Sequence, residues 1–139
     1  MLPQVTVLPI VIVFVGAGTG GVARYLLGEA LAATVRTPGQ LAPAFPWPTL
    51  IINLTGCLAA GAASAWLARS LPPDTPAQNL YRLAISVGFL GGYTTFSAFG
   101  RETLDLLQSG RYLAASVYVL ASVAAGLAAV WAGQAAISR

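Results

Sequence analysis

The run Gly88-Phe89-Leu90-Gly91-Gly92-Tyr93-Thr94-Thr95-Phe96-Ser97-Ala98-Phe99 sets hydroxyls and phenyl rings inside an uncharged stretch, Leu83 to Gly100, flanked by Arg82 and Arg101. Two adjacent glycines and two adjacent threonines at its centre predict a helix that breaks. Where backbone is loosened at membrane depth, the freed carbonyls and amides must face protein or water rather than lipid. Such breaks mark ion or substrate sites. The competing reading is a glycine-rich packing face whose threonines bond back to their own helix. Phe96 and Phe99 are three residues apart and share a helical face. A phenyl ring has a negative face and a positive edge, so two edges aimed into a narrow path could stabilise a small anion. Packing alone would also account for them, although Thr94, Thr95 and Ser97 beside them favour a polar path.

Three further groups could join that chemistry. Asn53 is an amide deep in an apolar stretch, one helical turn from Thr49, with Gly56 and Ala60 continuing the face. An asparagine in lipid must face protein or a cavity. It either bonds across helices or donates its NH₂ to an anion. Tyr118, Ser122 and Gly126 follow at i+4 spacing, a polar stripe that offers hydroxyl donors or interhelical bonds. Arg24-Tyr25 closes the first apolar stretch, as a snorkelling anchor or as a cation at the mouth of a path. Gly16, Gly18 and Gly21 formally match a dinucleotide fingerprint, but that motif needs an acidic residue about 20 positions on. None lies between Glu29 and Asp74. Gly16/Gly20 and Ala17/Gly21 read instead as pairs of small residues that let helices approach closely.

The elements that position these groups follow from composition. The chain has 139 residues, 57% of them apolar and 8% charged, with a mean hydropathy of +0.76. A soluble domain carries about 25% charge. Uncharged stretches run from Val5 to Ala23, Trp47 to Ala68, Leu83 to Gly100 and Tyr112 to Ser138. Each matches the roughly 20 residues that cross a hydrocarbon core as helix. The prediction is an all-α membrane protein, one domain over 1–139, with spans at about 5–27, 48–69, 82–107 and 112–137. Trp47-Pro48-Thr49 reads as an interfacial Trp and a Pro at a helix start, and Trp131 as a second anchor. The N-terminus lacks the basic n-region and cleavage site of a signal peptide. No histidine and one cysteine, Cys57, argue against a transition-metal site. Seven arginines spread along the chain make no nucleic-acid footprint.

Arginine fixes orientation poorly here. One side would hold Arg69, Arg82 and Arg139, the other Arg24, Arg36, Arg101 and Arg111. Without a bias between short loops, two readings stand: the chain inserts both ways, which would permit an antiparallel homodimer, or partly submerged arginines such as Arg24 upset the tally. No carboxylate is expected deep in a span, Glu102 and Asp105 following Arg101 at a boundary. A proton-coupled exporter usually needs a buried ionisable group, whereas hydroxyl and amide donors suffice for a passive anion pore. Composition does not choose among anions.

The third-span run resembles the GFxGGxTTFSxF signature of the Fluc/CrcB fluoride channels. Gly20-Gly21-Val22-Ala23-Arg24-Tyr25 is similar to their GxxxRY region, and Thr49-Leu50-Ile51-Ile52-Asn53-Leu54-Thr55-Gly56 to their TLxxNxxG segment. The resemblance implies a passive fluoride channel of the inner membrane, without enzymatic chemistry, built as an antiparallel dual-topology homodimer. It implies a structural Na⁺ held by the backbone carbonyls of Gly91 and Thr94. It places Asn53, Thr95, Phe96, Ser97, Phe99, Tyr118 and Ser122 along the fluoride path, with Arg24 near its vestibule. Tyr93 stands where a smaller aliphatic residue is common, and Gly126 where a hydroxyl often continues the polar track. Two other classes remain: a small dual-topology multidrug transporter, for which the missing deep Glu is the discriminator, and a non-transporting structural subunit.

Overall fold

The computed structural model describes residues 7–35 and 45–138. Arg36 and Arg139, used above in the arginine tally, lie outside the described residues. Among those residues every regular element is helical: α1 (Val7–Val35), α2 (Trp47–Ser70), α3 (Pro76–Arg82), a π-helical segment (Leu83–Leu90), a helical turn (Gly91–Tyr93), α4 (Phe96–Gln108) and α5 (Tyr112–Ser138). Four stretches are long and apolar enough to cross a membrane, the third being Pro76–Gln108 taken as a whole. The protein is a multi-pass membrane protein with a broken third span.

Two boundaries differ from the sequence expectation. α1 runs on to Val35 instead of ending near 27, because Leu26–Ala33 is mostly Ala and Leu, strong helix formers with no proline among them. The third span starts at Pro76 rather than near 82. Thr75 caps it, its hydroxyl accepting from the Gln78 N–H, and Pro76 takes the first helical position, where a missing N–H costs nothing.

The helices pair as alternate neighbours, each pair running parallel. α1 lies along the third span: a Cβ on Gly16 would meet Gly88, one on Gly20 would overlap the Phe89 carbonyl, and one on Gly92 would overlap the Ala17 backbone. Gly21, the remaining small residue of that predicted face, has open space around it. α2 lies along α5 by the same device, Gly61 against the Val130 carbonyl and Gly133 against the Leu58 carbonyl. Backbones this close exchange dispersion contacts that lipid tails would otherwise supply. At one end, Arg69 donates to the Ile137 carbonyl in the last turn of α5. At the other, Leu50, Leu106, Ala115 and Tyr118 form the buried core beneath Phe45, Leu54 and Phe99. Gly110, at a φ of 71°, makes the sharp turn from α4 into α5 that stacks this core; the Arg111 N–H returns to the Leu106 carbonyl at 2.9 Å.

Candidate functional site

The third span breaks at Thr94 and Thr95, not at the glycines. Gly91–Tyr93 is still helical, and Gly92 spends its missing side chain on contact with α1. Thr94 (φ −85°, ψ 162°) and Thr95 (φ −151°, ψ 118°) are extended, a backbone that β-branched residues favour. Thr95 is also the N-cap of α4, its hydroxyl accepting from the Ala98 N–H at 3.2 Å. Thr94 stays tied to the turn behind it, its hydroxyl donating to the Leu90 carbonyl at 2.9 Å.

α2 holds the break. Asn53 Nδ2 donates to the Thr95 carbonyl at 3.0 Å, and the Thr95 N–H donates to Asn53 Oδ1 at 2.9 Å. One amide therefore replaces both backbone partners that a continuous helix would give Thr95. An amide nitrogen carries two protons, so Asn53 keeps one N–H beyond this pair. A few residues along α2, the Thr55 and Tyr93 hydroxyls are 2.8 Å apart. Gly56, buried, leaves room for Tyr93 and Thr94, whose side chains its Cβ would meet. The unusual tyrosine thus has a local partner.

The break frees carbonyls. With the Thr95 N–H turned to Asn53, the Gly91 carbonyl loses its next-turn donor. The Thr94 carbonyl accepts from Arg24 Nη1 at 3.3 Å, a long bond that leaves a second lone pair. Neutral carbonyl oxygens freed from helical bonding are the donor type that suits Na⁺; the Gly91 oxygen is one, at the end of its helical turn, and the Thr94 oxygen offers its second lone pair beside the Arg24 guanidinium. Arg24 is also tied to the break itself instead of standing free as an anchor.

Two clefts meet at Thr95. The smaller, about 290 Å³, is lined by Asn53, Cys57, Thr94, Thr95, Phe96, Phe99, Ser122 and Val123. The larger, about 520 Å³, gathers Arg24, Glu29, Thr49, Thr95, Ser97 and Arg101 between the ends of α1, α2 and α4. The structure therefore brings Asn53, Thr94, Thr95, Phe96, Phe99 and Ser122 together, and sets Arg24 and Ser97 on the far side of Thr95. The Phe96 and Phe99 rings are 5.6 Å apart and tilted by 44°. Phe96 is 83% exposed, while Phe99 rests on Tyr118 at 5.1 Å. Among the described residues, Ser122 makes no side-chain hydrogen bond, leaving its hydroxyl to the cleft. Gly126, further along α5, approaches only Cys57 Sγ, which its Cβ would meet at 3.6 Å.

Tyr118 opens on neither cleft. It is fully buried, and its hydroxyl donates to Glu102 Oε2 at 2.7 Å. Thr49 donates to Glu102 Oε1, also at 2.7 Å. Glu102, near the end of the third span, is therefore turned inward between α2 and α5, a pairing that the sequence did not predict. The missed signal was the spacing Phe99, Glu102, Leu106, which puts the carboxylate on the face of α4 that carries the buried Leu106. Arg101, a residue away, faces out and meets Asp105 at 3.6 Å, a pair worth little in stability.

The family described as CrcB-like protein, Camphor Resistance (CrcB), matches residues 11–134. The chain is 43% identical over 122 residues to a fluoride-specific ion channel FluC of Solibacter usitatus, covering 88% of this chain and 92% of that one. It is 44% identical over 129 residues to the protein of that name from Methylobacterium nodulans, covering 92% and 94%. A Coxiella burnetii protein, also named fluoride-specific ion channel FluC, is 38% identical over 124 residues, covering 89% and 93%.

Proposed function

The chain belongs to the CrcB-like family, and from that premise we propose that it is a passive fluoride-selective channel of a bacterial-type inner membrane. It works as an antiparallel dual-topology homodimer and carries F⁻ down its gradient, relieving fluoride toxicity. The observation that carries this reading is the Thr94–Thr95 break, held by Asn53, with Phe96, Phe99 and Ser122 on the same cleft. Similarity to relatives named fluoride-specific channels chooses the ion.

The steps follow from the groups present. Arg24 and Arg101 line the wider cleft and raise the local concentration of anions there. Past Thr95, the second Asn53 N–H and the Thr95 and Ser122 hydroxyls replace water around the ion. The ring edges of Phe96 and Phe99 add a weak positive lining. Phe96, exposed in one chain, is covered by the second copy, which turns an open cleft into a closed path. A structural Na⁺ would supply a fixed positive charge between the copies. The carbonyls of Gly91 and Thr94 would hold it, contributed twice by the dimer axis.

Glu102 favours one second reading. Its carboxylate accepts from hydroxyls of α2 and α5 and so faces the helix bundle, and an ionisable group so placed is what a coupled transporter needs. Proteoliposomes loaded with fluoride distinguish the classes, with a fluoride electrode outside and chloride efflux recorded in parallel. A channel releases F⁻ only when valinomycin and K⁺ supply counter-charge, and releases no Cl⁻. Release that proceeds without counter-charge indicates coupling to protons, as in a transporter. No release from protein shown to be dimeric leaves a structural subunit.

A further inference from the structure

At the end of the molecule away from Glu102, a cleft of about 320 Å³ lies between α2 and the first half of the third span. Its polar wall is Ser64, Gln78, Arg82 and Ser86, and its apolar wall includes Leu67 and Val87. Among the described residues, Arg82 and Ser86 make no side-chain hydrogen bond or ion pair. Gln78 spends its Oε1 on the Asp74 N–H, which leaves its NH₂ to donate. No carboxylate lines the cleft. The free groups are therefore donors around one unpaired guanidinium, next to an apolar wall.

Its depth is marked independently. Trp66 and Tyr81 meet edge to face, with ring centroids 5.7 Å apart, and both are partly exposed. Trp and Tyr collect at the headgroup level of a bilayer, and Tyr81 directly precedes Arg82. A forked guanidinium at that level suits a phosphate, which it can hold through two parallel bonds. The apolar wall below it suits an acyl chain.

We propose that this cleft binds an anionic phospholipid, its phosphate at Arg82, Gln78 and Ser86 and a chain along Leu67 and Val87. The site owes nothing to the fluoride path and stands whichever ion the protein carries. Native mass spectrometry of the full chain in detergent tests it, with phosphatidylglycerol and phosphatidylcholine added at equal concentration. The wild type should retain phosphatidylglycerol preferentially. Arg82→Gln should weaken that binding about fivefold or more, the effect expected of one arginine at an anionic headgroup. Arg82→Lys should keep most of it by retaining the charge. Arg69→Gln should leave it unchanged, because Arg69 is engaged with the Ile137 carbonyl. Equal retention of the two lipids, equal loss on Arg69→Gln, or displacement by millimolar inorganic phosphate would each overturn the proposal. So would an Arg82→Gln protein that loses its dimer but keeps its lipid, since the cleft would then be an interface between copies.

Discussion

Asn53→Asp separates the two jobs that α2 gives this residue. The side chain keeps its shape and the acceptor for the Thr95 N–H, now 2.9 Å away. It loses the donor to the Thr95 carbonyl and sets two oxygens face to face at the 3.0 Å that the hydrogen bond occupied. Losing one such bond costs about 1 kcal/mol, and leaving the carbonyl unsatisfied costs about 1–2 kcal/mol more. A cost of about 2–3 kcal/mol shifts the balance between the held break and any competing backbone by about 30- to 140-fold. Flux per dimer, measured as initial F⁻ efflux from proteoliposomes with valinomycin, should fall at least tenfold. Thermal unfolding in detergent should fall with it, because the same bonds hold α4 to α2. Asn53→Ala, which loses both bonds and leaves the Thr95 N–H unpaired as well, should be destabilised further than Asn53→Asp and conduct no better. Flux within about threefold of wild type in Asn53→Asp would refute the clamp, since neither the donor to the ion nor the donor to Thr95 could then matter.

Phe96→Ile removes a positive ring edge but keeps an apolar side chain, so F⁻ efflux should drop at least tenfold while size-exclusion chromatography still shows the dimer. Tyr93→Phe deletes only the hydroxyl bonded to Thr55. It should cost about 0.5–1.5 kcal/mol in unfolding measurements and reduce flux by less than about threefold. Gly133→Ala drives a methyl group into the Leu58 carbonyl, so α2 and α5 must separate. A cost of about 1–3 kcal/mol should appear as lower thermal stability and poorer yield of folded protein. Gly126→Ala, at ordinary contact distance from Cys57, serves as the tolerated control.

The four spans were legible because membrane-crossing helices announce themselves by length and lack of charge. Their edges were less so. Glu29 reads as a loop residue by charge, yet the Ala- and Leu-rich sequence around it carries α1 to Val35. At the break, Gly91-Gly92 drew attention by weak helix propensity, but propensity is a local quantity. What decides is that α1 needs Gly92 for close approach, whereas Thr95 finds in Asn53 a full substitute for its helical bonds. The inward turn of Glu102 was hidden for a related reason. Its neighbours Arg101 and Asp105 suggest a wet boundary, and only the long-range donors Thr49 and Tyr118 draw the carboxylate inward. Lone polar residues on an apolar helix could be identified as important from sequence. Their partners, dozens of positions away, could not.

The placement of those partners explains why a broken helix can persist in a membrane. Four positions on one face and flank of α2 attend to the third span: Thr49 to Glu102, Asn53 to Thr95, Thr55 to Tyr93, and Gly56 as the space that lets Thr94 in. α2 is in turn fixed along α5 through Gly61 and Gly133. The loosened backbone is thereby satisfied by protein, Asn53 serving the Thr95 N–H and carbonyl and Arg24 the Thr94 carbonyl, while the Phe96 ring stays exposed. Lipid cannot satisfy carbonyls, so a break at membrane depth requires partners of this kind. In the proposed antiparallel dimer a second copy would bring the same ring to the seam, and the nearly even distribution of arginines would permit that insertion. Rigidity within one chain and incompleteness at its surface are thus two sides of one arrangement. The clamp from α2 fixes the donors in place, and in the proposed dimer a partner would close the path they line.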